Sequence, residues 1–253
     1  MTVRLERDGA VARLLIDRAQ RRNAMNQTMW QQLPLLVGEA MADDSVRVLI
    51  LASATPGLFC AGADIDEFAA CASDEEWRIA NQAAIRASQY ALAHAEKPVI
   101  AAIDGDCVGG GCGLAIACDL RIAAPAARLG ITPARLGIVY SLFDTKLLVD
   151  LVGPARAKRI LFTGVLHDAD QALAIGLVDE IAPDPLAAAD MLARTIAANA
   201  QHSVRTSKAI VRRILDGQED DDATTLALFR DAFARPDFAE GVAAFREKRR
   251  PDF

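Results

Sequence analysis

The chain has 253 residues, of which 52% are hydrophobic, and this is enough for one compact domain with a buried core. Its net charge of −6 and pI near 5.2 argue against a nucleic-acid-binding protein, because affinity for a phosphate backbone comes mainly from Lys and Arg. The longest apolar stretch, Gly109 to Cys118, is about half the roughly 20 residues that a membrane-spanning helix needs. Neither nucleic acid nor membrane is expected as a partner.

Cysteine and histidine usage gives no support for a metal or a disulfide framework. The five cysteines are an odd number without a CxxC pair, and the first residues lack the basic and apolar pattern of a secretory signal. We therefore expect a cytoplasmic protein. The three histidines, His94, His167 and His202, are isolated and have no metal-ligand spacing. No metal and no resident cofactor are predicted.

The first elements of the chain are predicted to be two strands, a helix and a third strand. Apolar and polar residues alternate on either side of Asp8-Gly9, which is typical of a tight hairpin turn. Residues 28–41 carry apolar side chains at helical spacing despite Pro34, and residues 46–51 form an apolar run typical of a buried strand.

Strands and helices continue to alternate, which indicates an α/β fold. A helix is predicted over 74–94, a strand over 99–103, an apolar helix over 110–118 and a strand over 120–123. After Gly153 the pattern becomes mostly helical. Further helix starts are expected at Pro154, Asp168, Pro185, Ser203 and Asp222. The acidic run 219–222 is interpreted as a solvated turn with N-cap residues.

Common nucleotide-binding and hydrolase motifs are absent from the sequence. The glycines at 105–113 suggest a dinucleotide-binding loop, but GxGxxG requires a third glycine or alanine where Leu114 and Ile116 stand. No GxxxxGK[ST], HExxH or GxSxG motif occurs either. These motifs therefore do not support a Rossmann site, a phosphate loop, a zincin or a serine hydrolase.

Two segments rich in small residues can bring backbone N–H groups to a ligand. The first, Phe59–Phe68, contains Ala-Gly-Ala-Asp at 61–64, where small side chains permit close approach of the backbone. The second, Gly105–Gly113, places three consecutive glycines at the start of a buried helix, whose first N–H groups are free and whose dipole favours negative charge. One N–H from each segment could converge on one thioester oxygen, as stabilisation of an enolate requires.

With these two segments, the chain resembles the crotonase superfamily, also called the enoyl-CoA hydratase/isomerase family. The resemblance covers essentially the whole chain. The segments that match the family's motifs are Arg22-Asn-Ala-Met-Asn26, Phe59–Phe68, Lys97–Gly105, Gly109–Gly111 and Ala244–Phe253. It implies a spiral of ββα repeats over residues 1–190 and a C-terminal helical trimerisation region over 191–253, with a homotrimer or hexamer as the assembly.

The resemblance also implies a site for an acyl-CoA substrate. Ala63 and Gly110 match the positions whose N–H groups bind the thioester oxygen. Four residues match the path of the adenosine and pantetheine groups, namely Ala24, Ala61, Asp64 and Ile65. Phe229 and Lys248 match C-terminal positions that contact coenzyme A, often on a neighbouring subunit.

The sequence departs from the family at the positions that carry its acids and bases. Hydratases of the family use two glutamates, and the matching residues here are Gly113 and Pro133. The aspartate of its isomerases and dehalogenases corresponds to Ser141. Because a positioned acid or base typically contributes about 10²- to 10⁴-fold, ordinary hydratase activity is expected to be very weak.

Residues 132–140 instead resemble the T-P-x-x-L-G-x-x-Y element of the family's methylmalonyl-CoA decarboxylases. Loss of CO₂ produces the enolate without a base, and Tyr140 would donate a proton or orient the carboxylate. The similarity is partial, because the decarboxylase has a histidine at the position of Ala63 and a glutamate at that of Gly113.

Three acids remain near the two segments and the decarboxylase-like element. Asp66 and Glu67 are expected on the exposed face of a helix. Asp144 is the other candidate acid for the pocket, although we expect it to cap a helix that starts near Thr145.

Three hypotheses follow from the sequence. The first is an enoyl-CoA hydratase/isomerase-family enzyme with unusual catalytic groups, the second a malonyl-type decarboxylase that uses Tyr140, and the third a coenzyme A-binding protein without catalysis.

Overall fold

The computed structural model describes residues 2–253 as a mixed α/β fold, as the alternation of elements predicts. The strands are β1 (Val3–Asp8), β2 (Val11–Ile16), β3 (Val48–Ser53), β4 (Val99–Ile103), β5 (Cys107–Val108), β6 (Leu120–Ala123), β7 (Arg128–Gly130), β8 (His167–Asp168) and β9 (Glu180–Ile181). The helices are α1 (Gln27–Ala42), α2 (Ile65–Cys71), α3 (Glu75–Ala93), α4 (Gly110–Ala117), α5 (Pro133–Leu136), α6 (Leu142–Val152), α7 (Pro154–Thr163), α8 (Ala169–Ala174), α9 (Pro185–Ala197), α10 (Gln201–Leu215), α11 (Ala223–Ala232) and α12 (Pro236–Glu247).

The predicted hairpin opens a six-stranded sheet in the order β1-β2-β3-β4-β6-β9. Strands β1 and β2 are antiparallel, with Asp8 opposite Val11, and the other neighbours are parallel. Parallel neighbours need a crossover connection, which explains why helices separate the successive strands of this sheet.

The predicted ββα repeat is present, and each repeat contributes to two layers. Strands β4 and β6 belong to the large sheet, whereas the strands that follow them, β5 and β7, pair in a second, three-stranded sheet. After β3, Cys60 forms an isolated bridge with Cys107 and so takes the equivalent position in the first repeat. In each repeat, the turn after the second layer leads into a helix, which is α2, α4 or α5. These turns position the candidate site.

The central strands β3 and β4 of the large sheet are buried on both faces, which explains their continuous apolar sequence. In β3, Leu49 and Leu51 face the core under α1 and α3, and Val48 and Ile50 face the opposite side. Alanines four residues apart on α9 pack against that opposite side. The sheet therefore separates two apolar clusters.

Lys97 connects the first helix to the sheet. Although it is 1% exposed, its Nζ donates to the carbonyl oxygens of Ala40 (3.0 Å) and Asp43 (2.7 Å), at the C-terminal end of α1. A cation there also interacts favourably with the helix dipole. Because Lys97 lies just before β4, these hydrogen bonds connect the end of α1 to the start of that strand.

The C-terminal part is helical, as the pattern predicts. Helix α10 begins at Gln201, two residues before the predicted start at Ser203, and Asp222 caps α11 in a capping box with Thr225. The predicted domain boundary between residues 190 and 191 falls inside α9. Within residues 2–253, no helix combines the length and the apolar character that crossing a bilayer requires.

Candidate active site

The Asn-Ala-Met-Asn loop is held by its two asparagines. Asn23 has a positive φ of 57° and is fully buried; its Nδ2 donates to the Phe59 carbonyl and to Ser53 Oγ, both at 2.8 Å. Asn26 caps α1 by accepting a hydrogen bond from the N–H of Met29. These contacts fix the loop against the chain that follows β3.

That loop in turn positions residues 61–64. The Met25 N–H donates to the Gly62 carbonyl at 2.7 Å, and the Asp64 N–H donates to the Met25 carbonyl at 2.9 Å. This pairing uses the groups on either side of Ala63 and leaves the Ala63 N–H pointing away. Gly62 has a φ of 98°, and a side chain there would lie 2.7 Å from the Val108 carbonyl oxygen.

The second donor is at the start of α4. Gly109 is the N-cap of the helix, and its N–H donates to the Gly130 carbonyl at 2.8 Å. Gly110 is the first helical residue, so its N–H has no partner within the helix. Among residues 2–253, no acceptor is present for the N–H of Gly110 or of Ala63.

The structure brings the backbone around the two N–H groups close together. A methyl group on Gly62 would be 3.3 Å from the Gly110 nitrogen, and one on Gly110 would be 3.6 Å from the Ala63 nitrogen. The methyl group on Gly110 would also be 3.1 Å from the ring of Trp30, which is fully buried. Two free donors beside an aromatic wall can bind one oxyanion.

The space beside Gly113 holds an amide and a phenol. A methyl group on Gly113 would lie 2.7 Å from Tyr140 Oη and closer still to Gln89 Nε2. Both groups are buried without a hydrogen-bond partner in residues 2–253. Burial raises the pKa of Tyr140 well above its ordinary value, and the charge of Asp144 acts in the same direction. The phenol is therefore neutral and can donate a proton.

The expectation that Asp144 caps a helix near Thr145 is wrong. Helix α6 begins at Leu142 and is capped by Ser141, whose Oγ accepts from the Asp144 N–H at 3.1 Å. Asp144 lies in the first turn, 5% exposed, and its Oδ1 has no partner in the described chain. Burial raises the pKa of its carboxyl, although Arg86 and Ser141 oppose the shift. The structure thus places Tyr140 and Asp144 together.

The four residues matched to the coenzyme A path lie at or next to the place where the Asn-Ala-Met-Asn loop pairs with residues 61–64. Ala24 accepts from Arg18 Nη1 at 2.8 Å, and the Ala61 N–H donates to the Arg22 carbonyl. Ile65 is the first residue of α2 and is half exposed.

Asp64 fixes the start of that helix. It caps α2 and pairs with Arg18 at 2.7 Å. Burial would raise its pKa, but this ion pair and the backbone N–H groups it accepts lower it.

Other predicted residues lie outside this arrangement. Asp66 is exposed on α2 and pairs with Arg21, and Glu67 accepts from the Gln27 N–H. Phe229 is 69% exposed on α11. Lys248 follows α12 with a φ of 53°. The role of Phe229 and Lys248 in binding coenzyme A stays a prediction.

Sequence reasoning missed Gln89. It lies on the predicted helix 74–94, and its only signal is that a glutamine occupies the apolar face that also carries Ile85 and Leu92. A single polar residue in such a stripe is too weak a signal to identify a site.

The spiral of repeats and the paired donors define a crotonase-fold protein. The family model described as enoyl-CoA hydratase/isomerase matches residues 6–253. The short-chain-enoyl-CoA hydratase of Clostridium acetobutylicum is 37% identical over 97% of this chain and 95% of its own length.

Solved structures agree with this result. A structure described as an enoyl-CoA hydratase/carnitine racemase from Magnetospirillum magneticum has a TM-score of 0.95 and 35% identity, covering 100% of this chain and 95% of its own. The enoyl-CoA hydratase of Bacillus anthracis has a TM-score of 0.91 and 31% identity, covering 100% and 99%. The chain belongs to the enoyl-CoA hydratase/isomerase family.

Proposed function

We propose that the protein is an enzyme that acts on an acyl-CoA thioester through an enolate, and that it forms this enolate by decarboxylating a malonyl-type acyl group. Family membership supports an acyl-CoA substrate. The paired N–H groups of Ala63 and Gly110 support an enolate, because each such donor typically contributes roughly 3 kcal/mol in the transition state.

The observation on which the choice of decarboxylation rests is the neutral phenol and amide beside Gly113, where the resemblance implies a glutamate in hydratases. Hydration needs a base that activates water, and positions 113 and 133 hold Gly and Pro. Decarboxylation needs no base, but the enolate must then receive a proton. Tyr140, whose pKa is raised by burial, stays protonated beside the helix that provides the Gly110 donor.

The proposed reaction proceeds in two steps. The bond between the α-carbon and the carboxylate breaks, CO₂ leaves, and the electron pair moves into the enolate, whose oxygen is held by Ala63 and Gly110. The Tyr140 hydroxyl then transfers its proton to the α-carbon. The resulting phenolate regains a proton from water.

The first experiment incubates the protein separately with malonyl-CoA, methylmalonyl-CoA and crotonyl-CoA and follows the product masses. We expect loss of CO₂ from at least one of the first two and no gain of water by crotonyl-CoA. Efficient hydration of crotonyl-CoA without decarboxylation would overturn the proposal. Binding of all three without any product would favour a coenzyme A-binding protein that has no catalytic activity.

Two variants test the assigned groups. Gly110→Pro removes one donor at a helix position that tolerates proline, and we expect kcat to fall about 10²- to 10³-fold. Gly110→Ala is the control, because it makes a similar contact with Trp30 but keeps the N–H. Tyr140→Phe should reduce kcat strongly with a smaller change in KM. Unchanged turnover in Tyr140→Phe would remove the phenol from the mechanism.

The assembly is also a proposal. The C-terminal helices expose several aromatic side chains, namely Phe229, Phe233, Phe238 and Phe245. A contiguous apolar surface of this kind supports the trimer that the resemblance implies. In such a trimer, Phe229 and Lys248 are proposed to contact the substrate of a neighbouring subunit.

A further inference from the structure

The carboxamide of Gln89 is an unexplained polar group beside the proposed site. The residue is fully buried, yet neither Nε2 nor Oε1 has a hydrogen-bond partner among residues 2–253. The great majority of buried side-chain polar atoms in proteins are hydrogen-bonded. A purely structural role at this position of α3 would be met better by an apolar side chain, as at Leu92.

The position of this amide relates it to the substrate oxygen. Its Nε2 lies against the position where a side chain on Gly113 would begin. Gly113 is one helical turn after Gly110, and residues at this spacing are roughly 5–6 Å apart between their Cβ positions. When the Gly110 N–H binds the thioester oxygen, an acyl substituent that lies one or two carbons beyond the thioester carbonyl is therefore near the Gln89 amide.

The neighbours of Gln89 make this end of the site polar. Tyr140 Oη and Asp144 Oδ1 are buried and unpartnered within the described chain. Such a concentration of unpaired polar atoms suits a ligand that brings oxygen atoms of its own.

We propose that Gln89 determines substrate specificity by hydrogen-bonding an oxygen-bearing substituent on the acyl group. The preferred thioesters carry a carboxylate or a carbonyl group, attached either to the α-carbon of the thioester or to the carbon next to it. Thioesters with plain hydrocarbon chains bind poorly. This proposal rests on the proposed function for the orientation of the thioester, since that orientation places the substituent beside the amide.

The chemistry of an amide fits selection and not proton transfer. A carboxamide donates through Nε2, accepts through Oε1 and carries no charge near neutral pH. A site whose buried polar groups await a substrate oxygen rejects a hydrocarbon analogue strongly, because these groups then stay unpaired. Gly113 is required for this arrangement, because any side chain there would collide with the amide.

The test compares the binding of two thioesters that have the same arrangement of heavy atoms beyond the carbonyl. Acetoacetyl-CoA carries a ketone oxygen where isovaleryl-CoA carries a methyl group, and neither has a carboxylate to lose. Dissociation constants are measured by calorimetry for the wild-type protein, for Gln89→Met and for Gln82→Met. Gln82 is an exposed residue of the same helix and controls for the substitution itself.

We expect the wild-type protein and Gln82→Met to prefer acetoacetyl-CoA at least tenfold. In Gln89→Met the affinity for acetoacetyl-CoA should fall about tenfold or more, whereas isovaleryl-CoA binds at least as tightly as before. Equal weakening of both ligands, or an unchanged preference, would overturn the proposal. Circular dichroism and thermal melting establish that each variant is folded before its binding is interpreted.

This experiment is independent of decarboxylation. If Gln89→Met loses the preference but no thioester releases CO₂, the specificity proposal holds and the proposed reaction fails. If CO₂ is released and the preference does not depend on residue 89, the reaction holds and the specificity proposal fails. Malonyl-CoA can be added once turnover is known, since it has the same shape with a charged carboxylate.

Discussion

Gly113 and Gln89 should be energetically coupled, and the sign of the effect at position 113 should depend on residue 89. In an open helix position, Gly→Ala stabilises by about 1 kcal/mol, because glycine has the poorer helix propensity. At Gly113 the new methyl group would lie 2.7 Å from Tyr140 Oη and closer to Gln89 Nε2. Overpacking of this kind typically costs about 1–3 kcal/mol.

The net effect follows from these two magnitudes. We expect Gly113→Ala to reduce the free energy of unfolding by at most about 2 kcal/mol, because the propensity gain of about 1 kcal/mol offsets part of the collision. In the Gln89→Ala background the amide is gone and the phenol has room to move. The same substitution should there be neutral or stabilising, which is a coupling of about 1–3 kcal/mol.

Thermal melting of the wild-type protein, the two single variants and the double variant measures this cycle. A change of 1 kcal/mol corresponds to about 2–4 °C in a protein of this size, and the protein concentration must be held constant because an oligomer is expected. Gly38→Ala is the control, since this glycine is in α1 with nothing within 4 Å of a new methyl group, and it should raise the Tm. Equal shifts at position 113 in both backgrounds would refute the reasoning.

Two further predictions concern buried ionisable groups. Lys97→Met should destabilise the protein by about 1–3 kcal/mol, measured by urea unfolding, because it leaves the carbonyls of Ala40 and Asp43 without a donor; wild-type stability would contradict this. Asp144 has a folded-state pKa raised above 3.8 by burial, so its contribution to stability is full below pH 3.8 and is lost as the pH rises through the folded value. Asp144→Asn should therefore raise the free energy of unfolding more at pH 7 than at pH 3.5. An equal effect at both pH values would show that burial does not raise the pKa of the carboxyl.

The local elements could be predicted because each depends on nearby residues. The hairpin follows from Asp8-Gly9 between alternating runs, and the buried strands follow from apolar runs such as 99–103. The two N–H donors could also be predicted, because small residues at 61–63 and 109–111 have few other reasons to occur together. The two segments lie side by side in the structure, and the role of their N–H groups stays a prediction.

The start of α6 could not be predicted correctly from local signals. Ser141 and Asp144 are both good capping residues, and the sequence does not decide between them. Packing of Leu147 and Leu148 into the core sets where the helix begins and so buries Asp144 in its first turn. A residue that was expected to cap a helix is therefore a buried acid in the first turn of that helix.

The fold class, the order of the elements and the two segments rich in small residues follow from the sequence, because helical and strand periodicity and close backbone approach leave local traces. The resemblance implies that Gly113 and Pro133 stand where the family has glutamates. Which side chains surround Gly113 depends instead on how distant elements pack together. Gln89 comes from α3 and Tyr140 from the loop before α6, and helical periodicity gives the face of a residue but not the element that packs against it.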